Sequence, residues 1–211
     1  ENTDSSPYNP MINAGAIVVA SCLASGISFD TMLDTIRALC MDPDINLDKK
    51  VYHSEMSHIS RNRAIAYLLE SKGYIEKNKD VENSLHFYVK MCSLSVTAES
   101  LAGLGLILAN DGIHPDTGKR LLSSQAVKIV KTLMFTCGMY DGSGEFAVRV
   151  GIPSKSGVGG GILSVVDGEM GIGIFGPALD KKGNSVAGEC VLEYMSHELH
   201  LHMFDPQRHT L

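Results

Sequence analysis

The chain has 211 residues, 44% of them hydrophobic and 20% charged, enough apolar content for one domain or for two subdomains sharing a core. A formal net charge of −6, with no block of Lys and Arg, argues against a nucleic-acid partner or an anionic membrane surface. No apolar run approaches the roughly 18 residues of a membrane span, so the expectation is a soluble protein.

Residues 1–10 are polar, and Pro7 and Pro10 favour an extended or turn conformation. From Asn13 the small apolar run Ala14–Ala20 predicts a buried helix. Ser28 is placed to cap a second helix, Phe29–Met41, whose apolar positions recur at helical spacing until Asp42-Pro43 ends it. One long helix is predicted from Ser54 to Lys72, stopped by Gly73. Further helices are predicted over Asp80–Met91, over the Leu-, Ala- and Gly-rich Ala98–Asn110, and from Ser124 to near Gly138. Glycine then becomes dense. Gly159–Val166 reads as a strand, Asp167-Gly168 as a turn and Met170–Phe175 as the paired second strand. Val186–Met203 closes the chain as an amphipathic helix. Helices first, then an antiparallel hairpin, then a terminal helix give an α+β class, with a helical subdomain over about 13–138 and a hairpin subdomain over about 140–211.

The five cysteines form no C-x-x-C pair, and an odd number cannot all pair within one chain. Four lie in apolar-periodic segments, where a free thiol behaves as a small hydrophobe. A reducing compartment follows.

Several residues are equipped for chemistry. Glu55 and Asn62 stand seven residues apart, almost two turns, so on one helix a carboxylate and an amide would face the same way. Asn13 is placed either to cap its helix or to meet a ligand beside the small residues Ala14 and Gly15. Tyr140, in the Gly-rich Asp141-Gly142-Ser143-Gly144 surroundings, would act as a general acid or base if a cation lowered its pKa. Lys155-Ser156-Gly157-Val158-Gly159 puts a cation and accessible backbone N–H groups at the mouth of a strand, suited to an oxyanion hole. It is not a phosphate-binding P-loop, because its Lys precedes the glycines. His197–His202 fails the H-E-x-x-H pattern, since position 201 is Leu, and no metal site is expected.

Six ordered segments resemble the serine-dependent glutaminase family: NPMINAGAI from Asn9, Ser54-Glu55 followed by Arg61-Asn62, FYVKMCSLSVTAES from Phe87, LANDG from Leu108, FTCGMYDGSGEFAVRVGIPSKSGVGGGI from Phe135, and FGPALDKKGNSVAG from Phe175. The resemblance covers essentially the whole chain. It implies the fold of the serine β-lactamases and DD-peptidases, and hydrolysis of L-glutamine to L-glutamate and ammonia. By the same resemblance Asn13, Glu55, Asn62 and Tyr88 bind substrate, with Glu55 expected in a buried, ligand-paired setting. Tyr140 takes part in binding and proton transfer, the Val158 N–H serves the oxyanion hole, and Lys155 lies in the element similar to K-[ST]-G. No cofactor is implied. Homo-oligomers, dimers or tetramers, and a bacterial cytoplasmic setting are.

One feature departs from the family pattern. Its nucleophile is the serine of an S-x-x-K motif, and none of the serines here has lysine three residues on; Ser60-Arg61-Asn62-Arg63 comes nearest, and Arg is no general base. The expectation is that the Ser/Lys pair lies before Glu1, that the chain is the C-terminal two-thirds of the enzyme, and that alone it is poorly active. Two other readings stand beside this one: a β-lactamase-like hydrolase, and a non-catalytic chain that binds glutamate or assembles with intact subunits.

Overall fold

A computed structural model describes residues 6–77 and 80–207. The first five positions of the polar stretch expected to be extended or turn lie outside the described residues. The chain forms two compact units, one from the residues up to Arg37 with Pro43–Ser95, the other from Ala38–Asp42 with Val96 onward.

The first unit is helical. It holds α1 (Asn13–Ala24), most of α2 (Phe29–Cys40), α3 (Lys49–Ser57), α4 (Ser60–Ser71) and α5 (Val81–Cys92). Ile17 of α1, Ala66 and Leu69 of α4, Ile75, and Val81 and Leu85 of α5 form its core. Each fully buried Ile or Leu there contributes about 1.5–3 kcal/mol. A two-residue antiparallel ladder pairs β1 (Asn46–Leu47) with β2 (Leu94–Ser95), tying the start of α3 to the end of α5. Asp48 caps α3 through Lys50 and Val51, and Asp80 caps α5 through Asn83. Ser28 caps α2 through the Thr31 N–H, as its position predicts.

The single helix expected over Ser54–Lys72 is instead two helices. The Ser57 hydroxyl donates to the Ser54 carbonyl at 2.7 Å, the His58 ring nitrogen lies 2.9 Å from the same oxygen, and the His58 N–H turns to Glu55. Side chains thus occupy an acceptor that the helix would have used, and Ile59 turns into the core. Upstream, α3 begins at Lys49, within a stretch whose polarity hid it.

The second unit holds α6 (Ala98–Ala109), α7 (Ser124–Cys137), a 3₁₀ turn at Tyr140–Gly142, α8 (Ser143–Arg149), β3 (Ser154–Ser156), β4 (Gly161–Val166), β5 (Met170–Phe175) and α9 (Val186–Glu198). The expected hairpin is present, with Gly161 opposite Phe175 and Val166 opposite Met170; β3 adds a third antiparallel strand with Lys155 opposite Leu163. The first strand begins at Gly161 rather than Gly159, because Gly157–Gly160 are spent in a turn closed by the Gly160 N–H and the Gly157 carbonyl. One core joins Met139, Phe146, Val150, Ile162, Val166, Ile172, Leu192 and Leu201. Helix α6 packs on β4 and β5, so it belongs with the hairpin rather than with α1–α5. The packing is close: a Cβ on Gly173 would stand 1.8 Å from the Ala98 carbonyl oxygen, and one on Gly171 2.2 Å from that of Ala102.

The last helix ends at Glu198, not Met203. His200 takes a positive φ of 54°, and Leu201 drops into the core, which reverses the chain. Among the cysteines only Cys40 is buried; Cys22, Cys92 and Cys190 are exposed and Cys137 intermediate, so the apolar-periodic setting overstates their burial. Among the described residues no single helix is long and apolar enough to cross a membrane.

Candidate active site

In the first unit, the turn that leads into α1 is built on Asn9. Its side-chain oxygen accepts from the Met11 N–H at 2.9 Å and the Ile12 N–H at 3.1 Å. These bonds precede the helix, whose cap position is taken by Ile12 with no side-chain cap. Asn13 is the first helical residue, and its side-chain nitrogen donates to the Asn62 side-chain oxygen of α4 at 3.1 Å. Of the two roles open to Asn13, capping is thus not the one adopted. The amide pair leaves three N–H bonds, the Asn13 carbonyl and one lone pair of the Asn62 carbonyl for other partners.

Glu55 and Asn62 do not share a helix. Glu55 is in the last turns of α3, Asn62 in the first turn of α4, and the break at His58-Ile59 removes the two-turn argument for a common face. The Glu55 carboxylate is exposed rather than buried. Tyr88 lies on α5, half-buried against the cluster of Ile17, Leu85 and their neighbours. Cross-links hold these helices in register on α5. Tyr52 of α3 meets the His86 ring at 2.6 Å, and Arg63 of α4 forks onto Glu82 at 2.9 and 3.1 Å. The Arg63 fork holds the Glu82 carboxyl below its ordinary pKa.

In the second unit, Lys155, Tyr140 and Val158 gather. The Lys155 ammonium lies over the Tyr140 ring, 4.9 Å from its centre, and also meets the Ser156 carbonyl. A cation on β3 thus lies over the face of the Tyr140 ring. Tyr140 itself has φ +51°, a conformation that costs a non-glycine residue about 1–3 kcal/mol. It is held there from both sides: the Met139 N–H donates to the Ser143 hydroxyl at 3.0 Å, and that hydroxyl donates to the Tyr140 carbonyl at 2.8 Å. Val158 sits at the second position of the Gly157–Gly160 turn, whose closing bond uses neither the Val158 nor the Gly159 N–H, and its side chain is 72% exposed.

In sequence, Asp180–Asn184 reads only as a turn. A Cβ at Gly183 would lie 3.6 Å from both the Tyr140 ring and Val158, so this turn is part of the tyrosine's surroundings. The sole sequence signal is the turn chemistry itself, Asp180 followed by Gly183-Asn184.

Two open clefts of about 760 and 680 Å³ lie elsewhere in the second unit, one beside Arg149, Tyr194 and His202, the other beside Lys131, Phe135 and Phe204. Neither is lined by a candidate residue. Their main cations are already engaged, Arg149 by Glu189 and Glu193 and Lys131 by Asp167, which argues against either as the reaction site. Of the histidine run, His197 is exposed beside Glu198, and His200 pairs with Asp205 at 3.1 Å.

The family model for glutaminase matches residues 1–204. A glutaminase of Clostridium tetani is 52% identical over 202 residues, and one of Fusobacterium nucleatum 53% identical over 201, each alignment covering 94% of this chain. The chain spans 65% of the length of either relative. Among solved structures, the Bacillus subtilis glutaminase YbgJ in covalent complex with 5-oxo-L-norleucine superposes with a TM-score of 0.88 at 40% identity, over 94% of this chain and 70% of that one. The glutamate form of Mglu gives 0.88 at 38% identity, over 94% and 46%.

Proposed function

The chain belongs to the glutaminase family and has its β-lactamase-like fold, and from that premise we propose that the protein hydrolyses the side-chain amide of L-glutamine to L-glutamate and ammonia. The observation that carries the reading is the Lys155 ammonium over the Tyr140 ring, near a turn whose closing bond uses neither the Val158 nor the Gly159 N–H. A phenol beside a cation is poised to exchange protons, and such a turn suits a developing oxyanion.

Glutamine presents an ammonium, a carboxylate and a carboxamide. Glu55 supplies the anion for the first, and the Asn13–Asn62 pair supplies N–H donors and an acceptor for the others. Tyr88 contributes a half-buried aromatic wall. The proposed chemistry runs through a serine acyl-enzyme. The serine oxygen attacks the carboxamide carbon, its proton passes to the basic lysine, and ammonia leaves with a proton delivered through Tyr140. Water then cleaves the ester to give glutamate and restore the serine. The Val158 N–H steadies the oxyanion in both steps, and Lys155 keeps the Tyr140 phenol in a positive field. The serine and lysine of the S-x-x-K pair are assigned to sequence before Glu1, since none of the serines in this chain has lysine three residues on.

The solved relatives support the substrate class: one is a covalent complex with 5-oxo-L-norleucine, another a glutamate form. Homo-oligomeric assembly and a cytoplasmic setting belong to the same proposal. Five free thiols favour a reducing compartment.

The test is glutamate release from L-glutamine by the full-length natural protein beside the 211-residue chain. Activity of the full-length form supports the proposal, and activity restricted to that form supports the assigned position of the Ser/Lys pair. A folded full-length protein that releases no glutamate overturns the reading.

A further inference from the structure

The Asp180–Asn184 turn takes no part in the chemistry assigned above, yet it is built tightly and lies against Tyr140. The Asp180 carboxylate accepts from the N–H groups of Lys182 at 2.8 Å and Asn184 at 2.9 Å, and the Asp180 N–H donates to the Asn184 carbonyl at 2.8 Å. Gly183 has φ +97°, where a side chain would be strained whatever the space, and a Cβ built there would lie 3.6 Å from the Tyr140 ring and from Val158. The Lys182 ammonium reaches Glu145 of α8 at 2.7 Å, fastening the turn from outside.

The innermost contact is the informative one. Asn184 is fully buried, and its side-chain nitrogen donates to the Met139 carbonyl at 3.2 Å. The same carbonyl accepts the Gly142 N–H at 3.0 Å. The amide orientation is fixed, because the opposite one would set oxygen against oxygen. The Asn184 side-chain oxygen has no partner among the described residues. A buried amide left half-satisfied is a poor choice for mere turn stability, since an apolar side chain would leave nothing unpaired. What the nitrogen does is hold the peptide immediately before Tyr140, the residue in the sparsely populated backbone conformation.

We propose that Asn184 is a positioning residue for Tyr140: its side-chain amide pins the Met139 carbonyl, keeps Tyr140 in its left-handed conformation and so fixes where the phenol points relative to Lys155. The inference rests on Tyr140 being the proton-transfer residue. Gly183 completes the arrangement by leaving the space beside the ring free of a side chain.

The experiment is a double-mutant cycle in the full-length protein with Asn184→Asp and Tyr140→Phe, read by steady-state kinetics with L-glutamine across pH, with thermal unfolding of each variant alongside. Asn184→Asp keeps the shape and turns an oxygen toward the Met139 carbonyl. It is expected to lower kcat roughly tenfold to a hundredfold, as displaced catalytic groups do, while KM stays within about twofold. In the Tyr140→Phe background the same change costs less than about twofold, because the group being positioned is gone. The limb of the pH–rate profile that Tyr140→Phe abolishes is expected to move in Asn184→Asp. Losses that simply multiply, with an unmoved profile, overturn the inference and leave the role of Tyr140 standing. A wild-type rate in Tyr140→Phe alone overturns the role of Tyr140 instead. If Asn184→Asp does not fold, Asn184→Ser carries the same cycle, and the same outcomes support or overturn the inference.

Discussion

The Asn13 side chain donates to the Asn62 side chain at 3.1 Å, joining α1 to α4 across 49 positions of sequence. Two amides bonded to each other are oriented in advance, and a ligand that meets one meets the pair. Asn13→Ala and Asn62→Ala are each expected to raise KM for L-glutamine by roughly tenfold to a hundredfold in the full-length protein, the range for a lost hydrogen bond to a charged group, with kcat little altered. The double variant should lose less than the product of the two. Full multiplicativity would mean that the amides act separately.

Glu55 is exposed on α3 and is assigned the substrate ammonium. Glu55→Ala should lower kcat/KM by roughly tenfold to a hundredfold, the range for a lost hydrogen bond to a charged group. Glu55→Gln tests charge at constant shape and should fall nearly as far. Turnover like that of the parent in either variant sinks the assignment.

Cysteine labelling should separate sharply. Burial, with the Asp42 carboxylate adding to it, pushes the Cys40 thiol up to about 11. At pH 8 about one molecule in a thousand then carries the thiolate that attacks an alkylating agent. Cys22, Cys92 and Cys190 are exposed and should be modified within minutes by iodoacetamide, with Cys40 untouched until the protein unfolds. Peptide mass spectrometry of native and urea-treated samples distinguishes the two cases.

The Arg63 fork gives stability a defined pH dependence in the helical unit. The Glu82 carboxyl is held below its ordinary value, so the folded form binds this proton less readily than the unfolded form. Its contribution is present above the ordinary carboxylate range and is lost as pH falls through the depressed value. Urea denaturation between about pH 3 and pH 7 should show a shallower acid decline in Glu82→Gln, with the two proteins converging at the acid end. The pair is partly exposed, so added salt should shrink the difference.

Much of the fold follows from periodicity and punctuation. The short apolar run ending at Val166, the Asp167-Gly168 turn and the alternation of small and large residues in Met170–Phe175 specify the hairpin, and Ser28 starts α2 where a cap belongs. Features that depend on a few atoms are hidden. Strand β3 has three residues, too few to show alternation, and the split between α3 and α4 comes from two side chains competing for the Ser54 carbonyl. Local pattern placed Asn13 equally well as a cap, and only its place as the first helical residue, one past the cap position and bonded to Asn62, decides against that. The candidate residues were legible as chemical types, but their grouping across the chain came from the resemblance. The contact of Asn184 with the Met139 carbonyl carries no local signal at all, because its meaning depends on the backbone angle of Tyr140.

The seat of α6 on β5 has a mechanical side. Where Gly171 and Gly173 meet the helix, backbone lies directly on backbone, with no layer of side chains to yield between them. Such a joint is stiff: a shift of the helix along or across the sheet is handed to β5 almost undiminished. Hydrogen bonds pass it to β4 and from there to β3, the strand that carries Lys155. The Ser100 hydroxyl at the head of α6 is held by Asp42 at 2.6 Å. Helix α6 is thereby fixed from two sides at the same end, by Asp42 at Ser100 and by Gly173 at Ala98, one sheet strand away from β4 and two from the strand that carries the ammonium.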